Sequence, residues 1–139
     1  AAEYGFGAVI ALLAGFLLVA NALETINDPL IGEAIAVTTL AGITGSASGG
    51  MSIARAAMSA TFMANAEAAG VPMYVLHRVA AMASGGMDTL PHNGAVITVL
   101  AVTGLTHRQS YGDIFIVASL IPLITLVLII FVAGVFGSF

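Results

Sequence analysis

Charged residues are scarce in this sequence. Its 139 positions hold three Lys and Arg and seven Asp and Glu, so 7% of the residues are charged while 60% are hydrophobic. A soluble domain carries about 25% charged residues and could not cover its surface with so few. A lipid bilayer does not require that cover, so the composition predicts an integral membrane protein.

Other absences narrow the function classes. The chain has no cysteine, which excludes a disulfide framework and a thiolate metal site. Three basic residues cannot form a nucleic-acid-binding surface, so no nucleic-acid partner is expected. No basic segment precedes the first apolar run, which argues against a secretory signal peptide. The opening residues, Ala1, Ala2 and Glu3, are typical of the interior of a longer chain.

Two apolar runs are long enough to cross a bilayer as helices. Residues 4–23 carry no charge and would span about 30 Å, with a signal-anchor as the alternative interpretation. Residues 114–136 form the last predicted span, which Pro122 is expected to kink. A polar loop is predicted before that span, from His107, Arg108, Gln109 and Asp113.

Two shorter apolar runs predict a re-entrant helical hairpin over residues 30–64. Each arm has about fourteen residues, too few to cross a bilayer. Glu33 interrupts the first arm and Arg55 the second, and the small residues of 44–50 form the tip between them. Non-helical backbone at membrane depth needs a protein or water lining, which a binding site would supply.

A discontinuous transmembrane helix is predicted over residues 73–104. A polar break over residues 65–72 ends in Pro72, which favours the start of a helix. Twelve helical residues, 73–84, are followed by an unwound stretch at 85–94 and ten more helical residues, 95–104. Neither half can cross the bilayer alone, but the two together can.

Breaks of this kind place helix ends inside the membrane, where a helix N-terminus attracts an anion and freed carbonyls can hold a cation. The sequence ASGGM occurs at 47–51 and again at 83–87, each time where a half-helix ends, which suggests that the two breaks are paired. We therefore predict one substrate site, built from both breaks. Its predicted substrate-binding residues are Ser46, Ser48, Gly49, Gly50, Gly85, Gly86, Thr89 and Asn93.

Ionisable residues in the second break are candidates for ion coupling. A charged side chain at that depth costs about 2.5–3.5 kcal/mol on an insertion scale, so Asp88 is a functional candidate. It would bind a proton, or alternatively a sodium ion, and His92 would relay a proton. The alternatives are that Asp88 or Thr89 caps the next helix, that His92 only packs, and that Ser46 and Ser48 only form turns.

Three basic residues leave a similar choice open. Arg55 could draw an anion toward the tip, or it could extend to the membrane surface or pair with a carboxylate. His77 and Arg78 are more typical of an interfacial anchor, or of a partner for Glu67.

Four stretches of the chain together resemble the C-terminal part of the gluconate permease family, bacterial proton symporters for gluconate and related hydroxy acids. They are AGITGSASGGM at 41–51, HRVA at 77–80, GMDTLPHNGAVIT at 86–98 and TGLTHRQSY at 103–111. Members of this family belong to the ion transporter superfamily, which has two inverted repeats, each with a re-entrant hairpin and a broken helix. The resemblance implies that residues 30–64, 73–104 and 114–136 belong to the second repeat.

These observations predict an all-α integral membrane fold for residues 1–139 as a single unit, with two full spans, one re-entrant hairpin and one discontinuous helix. The resemblance implies proton-coupled symport of a small hydroxy-carboxylate across the bacterial cytoplasmic membrane. No cofactor is expected. The expected partners are an organic-acid anion, the lipid bilayer, further copies of the full protein, and the missing N-terminal repeat. The alternatives are a small membrane subunit whose partner supplies that repeat, and an intramembrane enzyme using Asp88 and His92.

Overall fold

A computed structural model of the chain describes residues 28–136 continuously, together with residues 9, 12–15, 18, 21–22 and 26. Over 28–136 every regular element is helical, in agreement with the predicted all-α class. The first predicted span, residues 4–23, falls mostly outside the described residues.

The first two helices of residues 28–136 form a hairpin with a two-residue connection. Helix α1 spans Pro29–Thr44, and the side chain of Asp28 caps it by accepting hydrogen bonds from the backbone N–H groups of Leu30 and Ile31, at 3.0 and 2.9 Å. It ends at Gly45, whose φ of 61° is a left-handed conformation that glycine adopts without steric cost. Helix α2, Ala47–Ala68, starts at once behind its capping residue Ser46.

Helix α2 is longer than the arm predicted to end at residue 64. It continues through the stretch assigned to a polar break, because Ala66 is fully buried and the alanines there favour helix. The chain leaves the helix at Gly70, with φ of 69°. Twenty-two residues span about 33 Å, close to the thickness of a bilayer core, and the re-entrant character of the hairpin stays a prediction.

The predicted discontinuous helix consists of two helices with a non-helical segment between them. Helix α3 spans Met73–Ser84 and helix α4 spans Gly94–Thr103. Residues 85–93, which we call the unwound segment, contain turns and bends only. That α3 and α4 together cross a membrane stays a prediction.

The polar loop predicted at 107–113 is wrong, because these residues form helix α5, His107–Phe115. The side chain of Gln109 caps it by accepting hydrogen bonds from the backbone N–H and the hydroxyl of Thr106, at 2.9 and 2.8 Å. A π-helical turn, Ile116–Leu120, links α5 to helix α6, Ile121–Phe136. It precedes Pro122, which lacks the N–H of a regular helix.

The core lies where α1 packs against α2 and α3, and α6 packs against α3. At the crossing of α1 and α2, Gly50 lies directly against the backbone of Ala41, where no Cβ would fit. The outer face of α6 is apolar, with Val127 and Phe131 each 66% exposed. Among the described residues, His107–Phe136 is the one helix that is both long and apolar enough to cross a membrane.

Candidate functional site

Asn93 joins the unwound segment to the tip of the hairpin. Its side chain is 6% exposed, and its Nδ2 donates hydrogen bonds to the carbonyl of Gly45, at 2.6 Å, and to the carbonyl of Asp88. Its Oδ1 accepts from the backbone N–H groups of Ala95 and Val96, at 2.5 and 3.3 Å. An asparagine amide has two N–H donors and two acceptor positions, so Asn93 uses all four.

His92 makes a second link between the same two segments. Its Nε2 lies 3.0 Å from the carbonyl oxygen of Gly42, near the C-terminal end of α1. The space beside Gly45 is filled as well, since a Cβ there would lie 3.1 Å from Cδ2 of His92. The two breaks in the chain therefore contact each other directly.

This contact places two helix N-termini side by side. Asn93 is the capping residue of α4, and the carbonyl that it binds belongs to Gly45, which directly precedes the capping residue of α2, Ser46. Each helix N-terminus carries roughly half a positive charge. The tip therefore brings together the partial positive charges of two helix N-termini and, at Gly42 and Gly45, the C-terminal end of α1.

Asp88 does not cap the helix that follows it, which excludes the alternative interpretation of Asp88 as a helix cap. The cap of α4 is Asn93, and the backbone carbonyl of Asp88 accepts one of the Asn93 N–H groups. The Asp88 side chain is only partly buried.

The serines at the tip have local partners. The Ser46 hydroxyl accepts a hydrogen bond from the N–H of Gly49 at 3.1 Å and lies 3.3 Å from the Ser48 hydroxyl. Ser46 therefore caps α2, while Ser48 is exposed at the start of that helix.

Thr89 faces the last helix rather than the hairpin. Its hydroxyl lies 2.8 Å from that of Ser119, which is completely buried in the π-helical turn. Its carbonyl accepts a hydrogen bond from the Tyr111 hydroxyl at 3.3 Å, and the carbonyl of Pro91 lies 3.0 Å from Nε2 of His107. The start of α5 and the π-helical turn thus hold the unwound segment from its other side.

The glycines predicted to bind substrate mostly have packing roles. Gly50 makes room for Ala41, and a Cβ on Gly86 would lie 2.8 Å from Cδ2 of Leu123 in α6. Gly49 gives its N–H to Ser46, and Gly85 ends α3. The structure therefore gives Gly50 and Gly86 a reason to be glycine that does not involve a ligand, while a Cβ on Gly85 would make only an ordinary contact.

One curated protein is similar to this chain. It is the "Uncharacterized transporter YxjC" of Bacillus subtilis (strain 168), which is 63% identical over 115 residues. The match covers 82% of this chain and 24% of the relative, so the chain spans about a quarter of that protein's length. No family model and no solved structure matches the chain.

Several residues that shape this region have no role in the predicted site. Ser119 and Tyr111 were assigned to the last span and to the resembling motif, without a role at the break. The pattern Thr106-x-x-Gln109 is a capping-box signature that could have located α5 and hence Tyr111. Glu33, 7% exposed in α1, had a visible signal as the one carboxylate within its apolar run.

Proposed function

We propose that this chain forms the substrate-site part of a membrane transporter that carries a small hydroxy-carboxylate together with a proton. A further repeat, from the same polypeptide or from another subunit, would complete the site. The transporter would lie in the bacterial cytoplasmic membrane as a multi-pass protein and act as an oligomer.

One observation carries this proposal: the N-termini of α2 and α4 meet at the contact between Gly45 and Asn93. Paired helix N-termini inside an apolar protein favour a bound anion, and broken helices of known transporters place such ends at the substrate. A hydroxy-carboxylate combines the negative charge with hydroxyls that serine side chains can bind. Ser48 is exposed at the start of α2, and Asp88 in the unwound segment is half-buried.

The residues at the tip take different roles in this proposal. Ser46, Ser48 and the glycines Gly49, Gly50, Gly85 and Gly86 shape and line the anion site. Asn93 and Thr89 position the unwound segment, because their polar atoms are engaged by Gly45 and Ser119. Asp88 binds the coupled proton or, alternatively, a sodium ion, and His92 relays the proton.

The similarity to a protein named as a transporter favours transport over catalysis. That name specifies neither substrate nor coupling ion, so gluconate and the proton rest on the resemblance of the motifs. The resemblance runs through 86–98, the stretch that holds Asp88, His92 and Asn93.

The test is uptake by the full-length gene product in proteoliposomes. Labelled gluconate should accumulate when the outside is more acidic than the inside, and a protonophore should abolish the accumulation. Unlabelled hydroxy acids should compete, while sugars without a carboxylate should not.

A matched pair of variants ties uptake to the tip. Ser48→Ala removes an exposed hydroxyl at the start of α2 and should weaken apparent substrate affinity. Thr103→Ala removes an exposed hydroxyl at the far end of α4, ten residues from its cap Asn93, and should not. Absence of gradient-driven uptake for every hydroxy acid tested would contradict the proposal.

A further inference from the structure

A second polar site lies away from the tip, between α1, α2 and α3. A cavity of about 580 Å³ opens there, and the described residues that line it supply one carboxylate, one guanidinium, one imidazole and two hydroxyls in an otherwise apolar wall. These belong to Glu33, Arg55, His77, Ser52 and Ser59. The proposed transport function does not use any of them.

Glu33 is the unusual member of this group. Its side chain is 7% exposed, and its Oε2 is buried without a hydrogen-bond partner among the described residues. A buried carboxylate oxygen without a donor is costly as an anion. A bound proton removes the charge and turns the carboxyl group into a hydrogen-bond donor.

The surroundings favour a proton over a metal cation. Among the residues that the structure describes, the charged or titratable side chains that share the cavity with Glu33 are Arg55 from α2 and His77 from α3. Helix α1 contributes no further titratable residue, and α6, which packs against α3 and α1, contains none. The positive charge of Arg55 opposes a metal ion, and no three His, Cys, Asp or Glu side chains of the described residues are grouped to hold one.

We propose that Glu33 is a second proton-binding site, which exchanges its proton through the cavity that it shares with Arg55 and His77. Glu33 lies near the start of α1, twelve residues or about 18 Å from Gly45 at the tip. One helix therefore carries the proton site near one end and the carbonyls bound by His92 and Asn93 at the other. Arg78 takes no part, since its guanidinium lies over the Tyr74 ring at 5.4 Å.

The inference deepens the proposed function, and its transport test depends on it. In proteoliposomes of the full-length gene product, Glu33→Gln should lose accumulation driven by a proton gradient. It should retain counterflow, because the tip is intact. Counterflow is the exchange of external labelled gluconate for internal unlabelled gluconate without a proton gradient. Glu67→Gln, a matched change of an exposed glutamate in α2 outside the cavity, should leave both activities unchanged. A Glu33→Gln variant that still accumulates gluconate, or that loses both activities equally, overturns the inference.

A second measurement does not depend on substrate. Hydrophobic carbodiimides react with protonated carboxyl groups, so Glu33 should be modified in the wild-type protein, and the modification should fall as the pH rises. Glu67 should stay unmodified as an exposed control, and mass spectrometry of the peptides distinguishes the two. Modification of Glu33 at no pH, or to the same extent at every pH, overturns the inference. If no hydroxy acid is transported at all, the proposed function fails while this measurement still decides the role of Glu33.

Discussion

Replacing Asn93 by alanine tests the contact between the two breaks. The variant loses the two capping bonds of α4, which are worth about 1 kcal/mol together. It also leaves the carbonyls of Gly45 and Asp88 without their donor, at about 1 kcal/mol each. We expect the free energy of unfolding to fall by about 3 kcal/mol in total.

Two further variants separate the cap from the bridge. Asp28→Ala removes a cap that also has two backbone bonds but has none to the hairpin tip, and it should cost about 1 kcal/mol. Asn93→Asp keeps the capping oxygen and loses both N–H donors, so its cost should be about 2 kcal/mol or more.

The measurement is denaturant-induced unfolding of the full-length gene product in detergent micelles. Limited proteolysis near residue 93 should show the same order of stabilities. If Asn93→Ala unfolds no more easily than Asp28→Ala, the bonds to Gly45 and Asp88 contribute nothing to stability, and the link between the two breaks is refuted.

Three other predictions concern the packing of the hairpin, the proposed coupling residue and the membrane topology. Gly50→Ala should sharply reduce the yield of folded protein by size-exclusion chromatography, because its Cβ would overlap the backbone of Ala41, while Gly134→Ala, with open space around it, should not. Asp88→Asn should abolish concentrative uptake without impairing membrane insertion, and an Asn variant that still concentrates substrate removes Asp88 from coupling. An impermeant maleimide added from outside should label a cysteine at position 27 but not one at Gly112, because the basic residues that begin α5 favour the cytoplasm. The reverse labelling pattern would show that this topology is wrong.

The glycine positions show how a correct local pattern can support an incomplete interpretation. The repeated ASGGM sequence does mark two places where a helix starts or ends. The neighbours of those glycines come from elsewhere in the chain, however. Valine at Gly86 would meet Leu123 of α6 before it met any ligand, so such a variant tests packing rather than binding.

The sequence by itself determined the features that depend on residues close together along the chain. Scarce charge and long apolar runs indicate a bilayer, because hydropathy sums over neighbouring residues. Glycine and asparagine at residues 85–94 locate the break between α3 and α4, because they act on the backbone at their own positions. Helix α5 is predictable in the same way, because Thr106 and Gln109 form a capping box at its start. The polar residues that follow favour a loop only if this capping box is overlooked.

Only the tertiary structure decided which of these residues meet. Asn93 and Gly45 are 48 positions apart, and His92 and Gly42 are 50 apart, so no local pattern predicts their hydrogen bonds. The surroundings of Glu33 likewise depend on α2 and α3 closing over α1. Hydropathy places a carboxylate in an apolar run, but packing alone determines whether that carboxylate finds a partner, reaches water or faces a cavity.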